Sequence, residues 1–88
     1  MWTSELPQPT AVNMTHDDDL DALGLLCPLP VLKARKRLQA LQSGQVLRLC
    51  ADDPAAVIDV PHFCNENGHT LLQTQDVGGA RHYFIRKK

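Results

Sequence analysis

Val46-Leu47-Arg48-Leu49-Cys50-Ala51-Asp52-Asp53-Pro54-Ala55-Ala56-Val57-Ile58 decides the fold. Its first six residues read as a strand with Leu47, Leu49 and Ala51 on one side. Asp52-Asp53-Pro54 then signals a helix start. An aspartate accepts hydrogen bonds from the free N–H groups of a first turn, and proline suits the first helical position.

Working outward, the helix continues through Val57, Ile58 and Val60 toward Asn67, with Gly68 as its stop. Pro61 should kink or divide it, because proline lacks an N–H and its ring clashes with the preceding turn. His69 to Val77 reads as a strand of imperfect alternation and Arg81 to Lys87 as another, with Gly78-Gly79 between them as a hairpin turn. Toward the N-terminus, Ser43 and Gly44 end an earlier helix that begins at Cys27-Pro28-Leu29-Pro30 and reaches about Gln42. Val31, Ala34, Leu38 and Leu41 share one face of it, while Lys33, Arg35, Lys36, Arg37 and Gln39 cover the rest. Before that helix, Leu20, Ala22 and Gly24 alternate with Asp21, Leu23 and Leu25, which suits a short strand.

Residues 1–18, rich in Pro, Thr, Asn and Asp and without an apolar period, read as a disordered tail carrying the lone Trp2. Residues 19–88 form the domain. The order β-α-β-α-β-β predicts an α+β fold: a two-layer α/β sandwich, with two helices on one face of a four-stranded mixed sheet.

Eighty-eight residues suit one domain. A chain of this size buries only about 60% of the surface its unfolded form exposes, leaving little room for a deep substrate pocket. The formal charge of −1 argues against a protein that coats nucleic acid, since phosphate affinity needs clustered Lys and Arg. Cys27, Cys50 and Cys64 are an odd number without a disulfide-framework spacing. No apolar run of membrane length occurs, and no signal-peptide pattern precedes Lys33, the first basic side chain, so a reducing cytoplasmic setting is expected.

Chemistry centres on Cys27. The thiolate is the nucleophilic form, and a free cysteine has a pKa of about 8.5. A helix start offers unpaired N–H groups and partial positive charge, so a thiolate there is favoured and its pKa is expected to fall. Pro28 and Pro30 cost little in a first turn and stiffen the loop that presents the sulfur. Gly24 flanks it. Lys33, Lys36 and Arg37 are candidates for a docking rim toward an acidic partner. Cys50 and Cys64 read as core packing. Cys64 with His62 and His69 lacks the spacing of a usual zinc module, so no metal is expected. His69 and His82 read as structural.

These residues resemble a known signature. Leu20-Asp21-Ala22-Leu23-Gly24-Leu25 followed by Cys27-Pro28-Leu29-Pro30-Val31 is similar to that of the TusA/SirA-like sulfur carrier family. The likeness continues through Arg35-Lys36, Ala51-Asp52-Asp53-Pro54-Ala55, Asp59-Val60-Pro61, Phe63-Cys64, His69 with Leu71, and Tyr83-Phe84-Ile85-Arg86-Lys87. The resemblance covers residues 19–87 and implies the same β-α-β-α-β-β fold.

It also implies that Cys27 takes persulfide sulfur from a cysteine desulfurase and passes it to a downstream sulfur-relay protein, without a cofactor. The relay would end in 2-thiolation of the wobble uridine of tRNA, or, in relatives, in molybdenum cofactor maturation or sulfur oxidation. The carrier is expected to be a monomer when free, with no stable nucleic-acid or membrane binding. Two positions depart from the family pattern: Leu26 stands where arginine is common, and Leu29 where glutamate is common. A redox-regulatory domain and an RNA-binding module are the rival readings.

Overall fold

The computed structural model describes residues 16–88. In chain order it contains β1 (Asp18–Asp21), α1 (Leu29–Gln39), β2 (Val46–Ala51), α2 (Ala56–Asn67), β3 (Thr70–Val77) and β4 (Ala80–Arg86). The sheet order is β1-β2-β4-β3, with β1 parallel to β2 and β4 antiparallel to both of its neighbours. The sheet is therefore mixed, as expected, and β4 lies between the two strands that α2 connects.

Register explains the core. Leu20 pairs with Leu49, Leu49 with Tyr83, Leu47 with Ile85, and Ile85 with Leu71. Side chains alternate across a strand, so these residues share one face. They pack in one cluster with Ala34 and Leu38 of α1 and Ala56, Val60, Phe63 and Cys64 of α2. Both helices thus cover the same face. Val31 and Leu41, expected on the inner face of α1, are partly buried against this cluster. Among the described residues, no helix is long and apolar enough to cross a membrane.

Gly78 and Gly79 have φ of 54° and 87°, the left-handed angles that a two-residue hairpin turn requires. The imperfect alternation of β3 has a physical source in a register shift between Leu71 and Gln73, an irregularity of the bulge type.

Several expectations need correction. The first strand is Asp18–Asp21, not a run to Leu25, because Leu23 and Gly24 form a turn. Asp17 and Asp18, assigned above to the tail, belong to the folded domain. The Asp17 N–H donates to the Val46 carbonyl at 2.8 Å, and its carboxylate accepts the Val46 N–H at 2.8 Å. Residues 1–15 of the proposed tail, with Trp2, lie outside the described residues. Pro61 does not divide α2, which runs through it to Gly68. The hydrogen bond that Pro61 cannot make would have gone to the carbonyl of Val57, an exposed residue where water can serve the acceptor. Cys50 is not in the core. It is half-buried on the sheet face opposite the helices, paired in register with His82 and beside Asp19, Asp21 and Arg48.

His69 fastens the C-terminus. Its Nδ1 accepts the Lys88 N–H at 3.0 Å, and its ring lies 5.6 Å from that of Phe63. Burial, with Lys87 and Lys88 nearby, holds its pKa below the ordinary histidine value. The unfolded chain therefore binds this proton more readily than the folded one. The stabilisation is complete above the unfolded value of about 6.5 and is lost as pH falls through it toward the folded value. The thermal midpoint should decline between about pH 7.5 and 5.5, and His69→Gln should flatten that decline in a calorimetric pH series.

Candidate functional site

Asp52 and Asp53 shape the loop that carries Cys27. The Gly24 N–H donates to Asp52 Oδ1 at 3.0 Å, and the Cys27 N–H donates to Asp53 Oδ2 at 2.6 Å. Asp53 also begins the turn before α2, since Oδ1 accepts the Ala55 N–H at 3.2 Å and its carbonyl accepts from Ala56. The same two carboxylates that end β2 and start α2 thus hold the loop between β1 and α1. Upstream, the Asp21 carboxylate accepts the Leu23 N–H at 2.9 Å and turns the chain out of the sheet.

Gly24 sits in that turn with φ of +79°, and a Cβ built there would meet nothing within 4 Å. The cost of Gly24→Ala is therefore backbone strain alone, about 1 kcal/mol. Thermal denaturation should show a fall of roughly 4–8 °C in a domain of this size.

The Cys27–Pro28 peptide is cis. Pro28 caps α1 and its carbonyl accepts the Leu32 N–H, while Pro30 stands inside the first turn and is fully buried. Pro30 is therefore a core residue as well as a helix starter. Cys27 itself is exposed. Its sulfur finds its hydrogen-bond partner on α2 instead of at the start of α1. The Sγ–H donates to Asp59 Oδ2 of α2 at 2.7 Å. That hydrogen bond, with some desolvation and the negative charges of Asp59 and Asp53, pushes the Cys27 thiol up from its ordinary pKa. The expectation of a lowered pKa is overturned: the partner of this sulfur is a carboxylate, which favours the protonated form.

The sulfur lies in an open depression of about 320 Å³ lined by Cys27, Pro28, Val31, Asp59, His62, Phe63, Glu66 and Asn67. Leu26, Leu29, Leu32, Val57 and Ile58 are all exposed on the Cys27 loop and the first turns of α1 and α2, Ile58 at 74% and Leu26 at 67%. Exposed apolar residues grouped in this way are characteristic of a protein contact surface. Lys33, Lys36 and Arg37 are not brought to this depression. They line another one, with Leu20 and Ala40, on the β1 side of α1. Arg37 is already engaged there, donating to the Asp18 carboxylate at 3.0 Å and to the Asp19 carbonyl at 2.7 Å.

The other thiols differ in kind. Cys64 is buried in the core and its pKa is pushed up to about 11 by burial. Burial, then the charge of Asp21, raises that of Cys50. Cys64 faces the core while His62 is exposed near Glu66, so these two do not converge on one ligand. Among the described residues, no three His, Cys, Asp or Glu side chains form a metal cluster.

Sequence reasoning missed Asp59 and the clamp by Asp53. Asp59 and Phe63 are one helical turn apart, and Glu66 follows a turn later, so a shared stripe was visible in principle. Only the packing of α2 beside the Cys27 loop shows what that stripe faces.

Fold and site together define a small α+β domain that presents one exposed cysteine from a carboxylate-clamped loop. Residues 18–87 match the family model described as sulfurtransferase TusA. The sulfur carrier protein TusA of Allochromatium vinosum is 46% identical over 71 residues, spanning 81% of this chain and 93% of the relative. That of Pseudomonas entomophila is 45% identical over 76 residues, spanning 86% and 95%. The crystal structure of a SirA-like protein from Desulfitobacterium hafniense shares the fold with a TM-score of 0.71 at 24% identity, covering 80% of this chain and 96% of that one. The chain belongs to the TusA family.

Proposed function

We propose that the protein is a sulfur carrier that accepts persulfide sulfur on Cys27 from a cysteine desulfurase and relays it to the cysteine of a downstream sulfur-relay protein. The observation that carries this reading is the exposure of Cys27 on a fixed loop, while Cys64 is sealed in the core and Cys50 lies on the opposite face of the sheet. Relatives that align with most of the chain are named sulfur carrier proteins.

In the transfer, the Cys27 thiolate attacks the outer sulfur of the donor persulfide. The new bond is between Cys27 Sγ and that sulfur, and the bond broken is the donor's own S–S bond. The donor cysteine leaves as a thiolate and takes up the proton that Cys27 released. Nothing is oxidised or reduced overall, so no cofactor is required. The reverse half-reaction at an acceptor cysteine discharges the carrier. A docked partner covers the apolar residues from Leu26 to Leu32 and at Val57 and Ile58, which excludes water around the exchange. Transfer of this kind belongs in a reducing cytoplasm, where thiols persist.

On this proposal the destination of the sulfur is 2-thiolation of the tRNA wobble uridine. Expression of this chain in cells lacking their own carrier should restore 2-thiouridine, read by nucleoside mass spectrometry, while a Cys27→Ser chain does not. Unrestored 2-thiouridine with recovered molybdenum-enzyme activity would move the destination to molybdenum cofactor maturation.

A further inference from the structure

The carboxylates around Cys27 point to a control on when its sulfur reacts, an inference that rests on the carrier reading above. We propose that Asp59 is a positioning residue that holds the resting Cys27 as a thiol, and that Cys27 ionises when a cationic group of the docked sulfur donor takes over the Asp59 carboxylate.

The geometry is a direct one. The sulfur donates to Asp59 Oδ2 at 2.7 Å, and Asp53 holds the same residue through its backbone N–H at 2.6 Å. The other titratable side chains lining the depression are His62 and Glu66, which face each other at 3.8 Å on α2. From the α1 side the lining residues are Pro28 and Val31, which carry no charge. The charge nearest the sulfur is therefore anionic. Ionising Cys27 here loses the hydrogen bond to Asp59 and sets two anions side by side, and both effects favour the thiol. A cation paired with Asp59 removes both penalties.

Such an arrangement matches an exposed cysteine that must travel between partners. A thiol is far less open to alkylation and oxidation than a thiolate, so the free carrier is protected. A donor surface with a cationic group set among apolar residues complements the exposed leucines and isoleucine around the site. Water exclusion on docking strengthens the new ion pair. The proton that Cys27 gives up ends on the departing donor thiolate, so the step balances without an added reagent.

The test is peptide-resolved alkylation of Cys27 in the full chain by iodoacetamide over about pH 6 to 10, a range that spans the ordinary thiol titration. Wild type should titrate above the ordinary cysteine range. Asp59→Asn should titrate at lower pH and react several-fold faster near neutrality, while Asp59→Glu stays near wild type. In parallel, the cationic disulfide cystamine should react faster than neutral bis(2-hydroxyethyl) disulfide with wild type, and Asp59→Asn should lose that preference.

Coincident profiles for wild type and Asp59→Asn, or a wild-type titration at or below the ordinary range, would overturn the proposal. A wild-type titration at or below the ordinary range overturns it even if the variant does not fold. None of the three reagents delivers persulfide sulfur. A failed profile therefore leaves the carrier reading intact, and a carrier that never loads sulfur leaves the profile intact.

Discussion

Cys27→Ser should reduce sulfur loading from a cysteine desulfurase to background while leaving the fold unchanged. Cys27 is exposed, so the exchange of sulfur for oxygen removes no core packing. The serine hydroxyl can keep donating to Asp59, and the Asp53 clamp acts on the backbone. Stability should therefore stay within about 0.5 kcal/mol of wild type, as for surface substitutions generally. The chemical loss is total because no other thiol can substitute. Cys64 is buried with its pKa near 11, and Cys50 is half-buried on the far face of the sheet. Retained thermal midpoint with abolished loading, measured on the same sample by calorimetry and mass spectrometry, separates a chemical role from a structural one.

The second large effect concerns the fold. Leu38→Ala should cost about 2–5 kcal/mol, the range for removing a large aliphatic side chain from a packed core. Leu38 is 1% exposed and joins α1 to the sheet beside Leu47, Leu49 and Tyr83 in the common cluster. A domain this small has little margin to absorb that loss. At roughly 4–8 °C per kcal/mol, its thermal midpoint should fall by about 8 °C or more. Because α1 carries the Cys27 loop at its start, sulfur loading by this variant should fall in step with the folded fraction. A Leu38→Ala protein that melts within a few degrees of wild type would show that the α1–sheet packing is not what holds the domain together.

The architecture was legible where local signals agreed. The segment Val46–Ala51 has a strand pattern and lies against β4 in the register its alternation implies. Gly78-Gly79 marked the hairpin, Gly68 the end of α2, and Ala34 and Leu38 the inner face of α1. Where several signals competed, the reading failed. Leu20 to Leu25 alternates like a strand, yet Asp21 captures the Leu23 N–H, Asp52 captures that of Gly24, and the strand stops at Asp21. Cys50 looked like a core residue by its apolar neighbours, but a strand's two faces differ by one position, and register puts it outside.

The site was half legible. Cys27 between Gly24 and two prolines could be singled out from its own neighbourhood. Its electrostatic setting could not, because Asp53 and Asp59 are 26 and 32 residues away in the chain. The N-terminus of the nearest helix suggested a stabilised thiolate, and a long-range carboxylate reverses the sign. In the same way, the cluster of Lys33, Lys36 and Arg37 looked like a docking rim from helical spacing. The fold turns it to the β1 flank and leaves an apolar, acidic surface beside the sulfur.

The central claim is tested most directly by incubating the purified chain with a cysteine desulfurase and free cysteine, then mapping the added mass by peptide mass spectrometry under non-reducing conditions. The account predicts one extra sulfur on the peptide containing Cys27, removable by thiol reductant, with Cys50 and Cys64 unmodified. Sulfur found on Cys50 or Cys64 with Cys27 bare, or loading undiminished in Cys27→Ser, would contradict it.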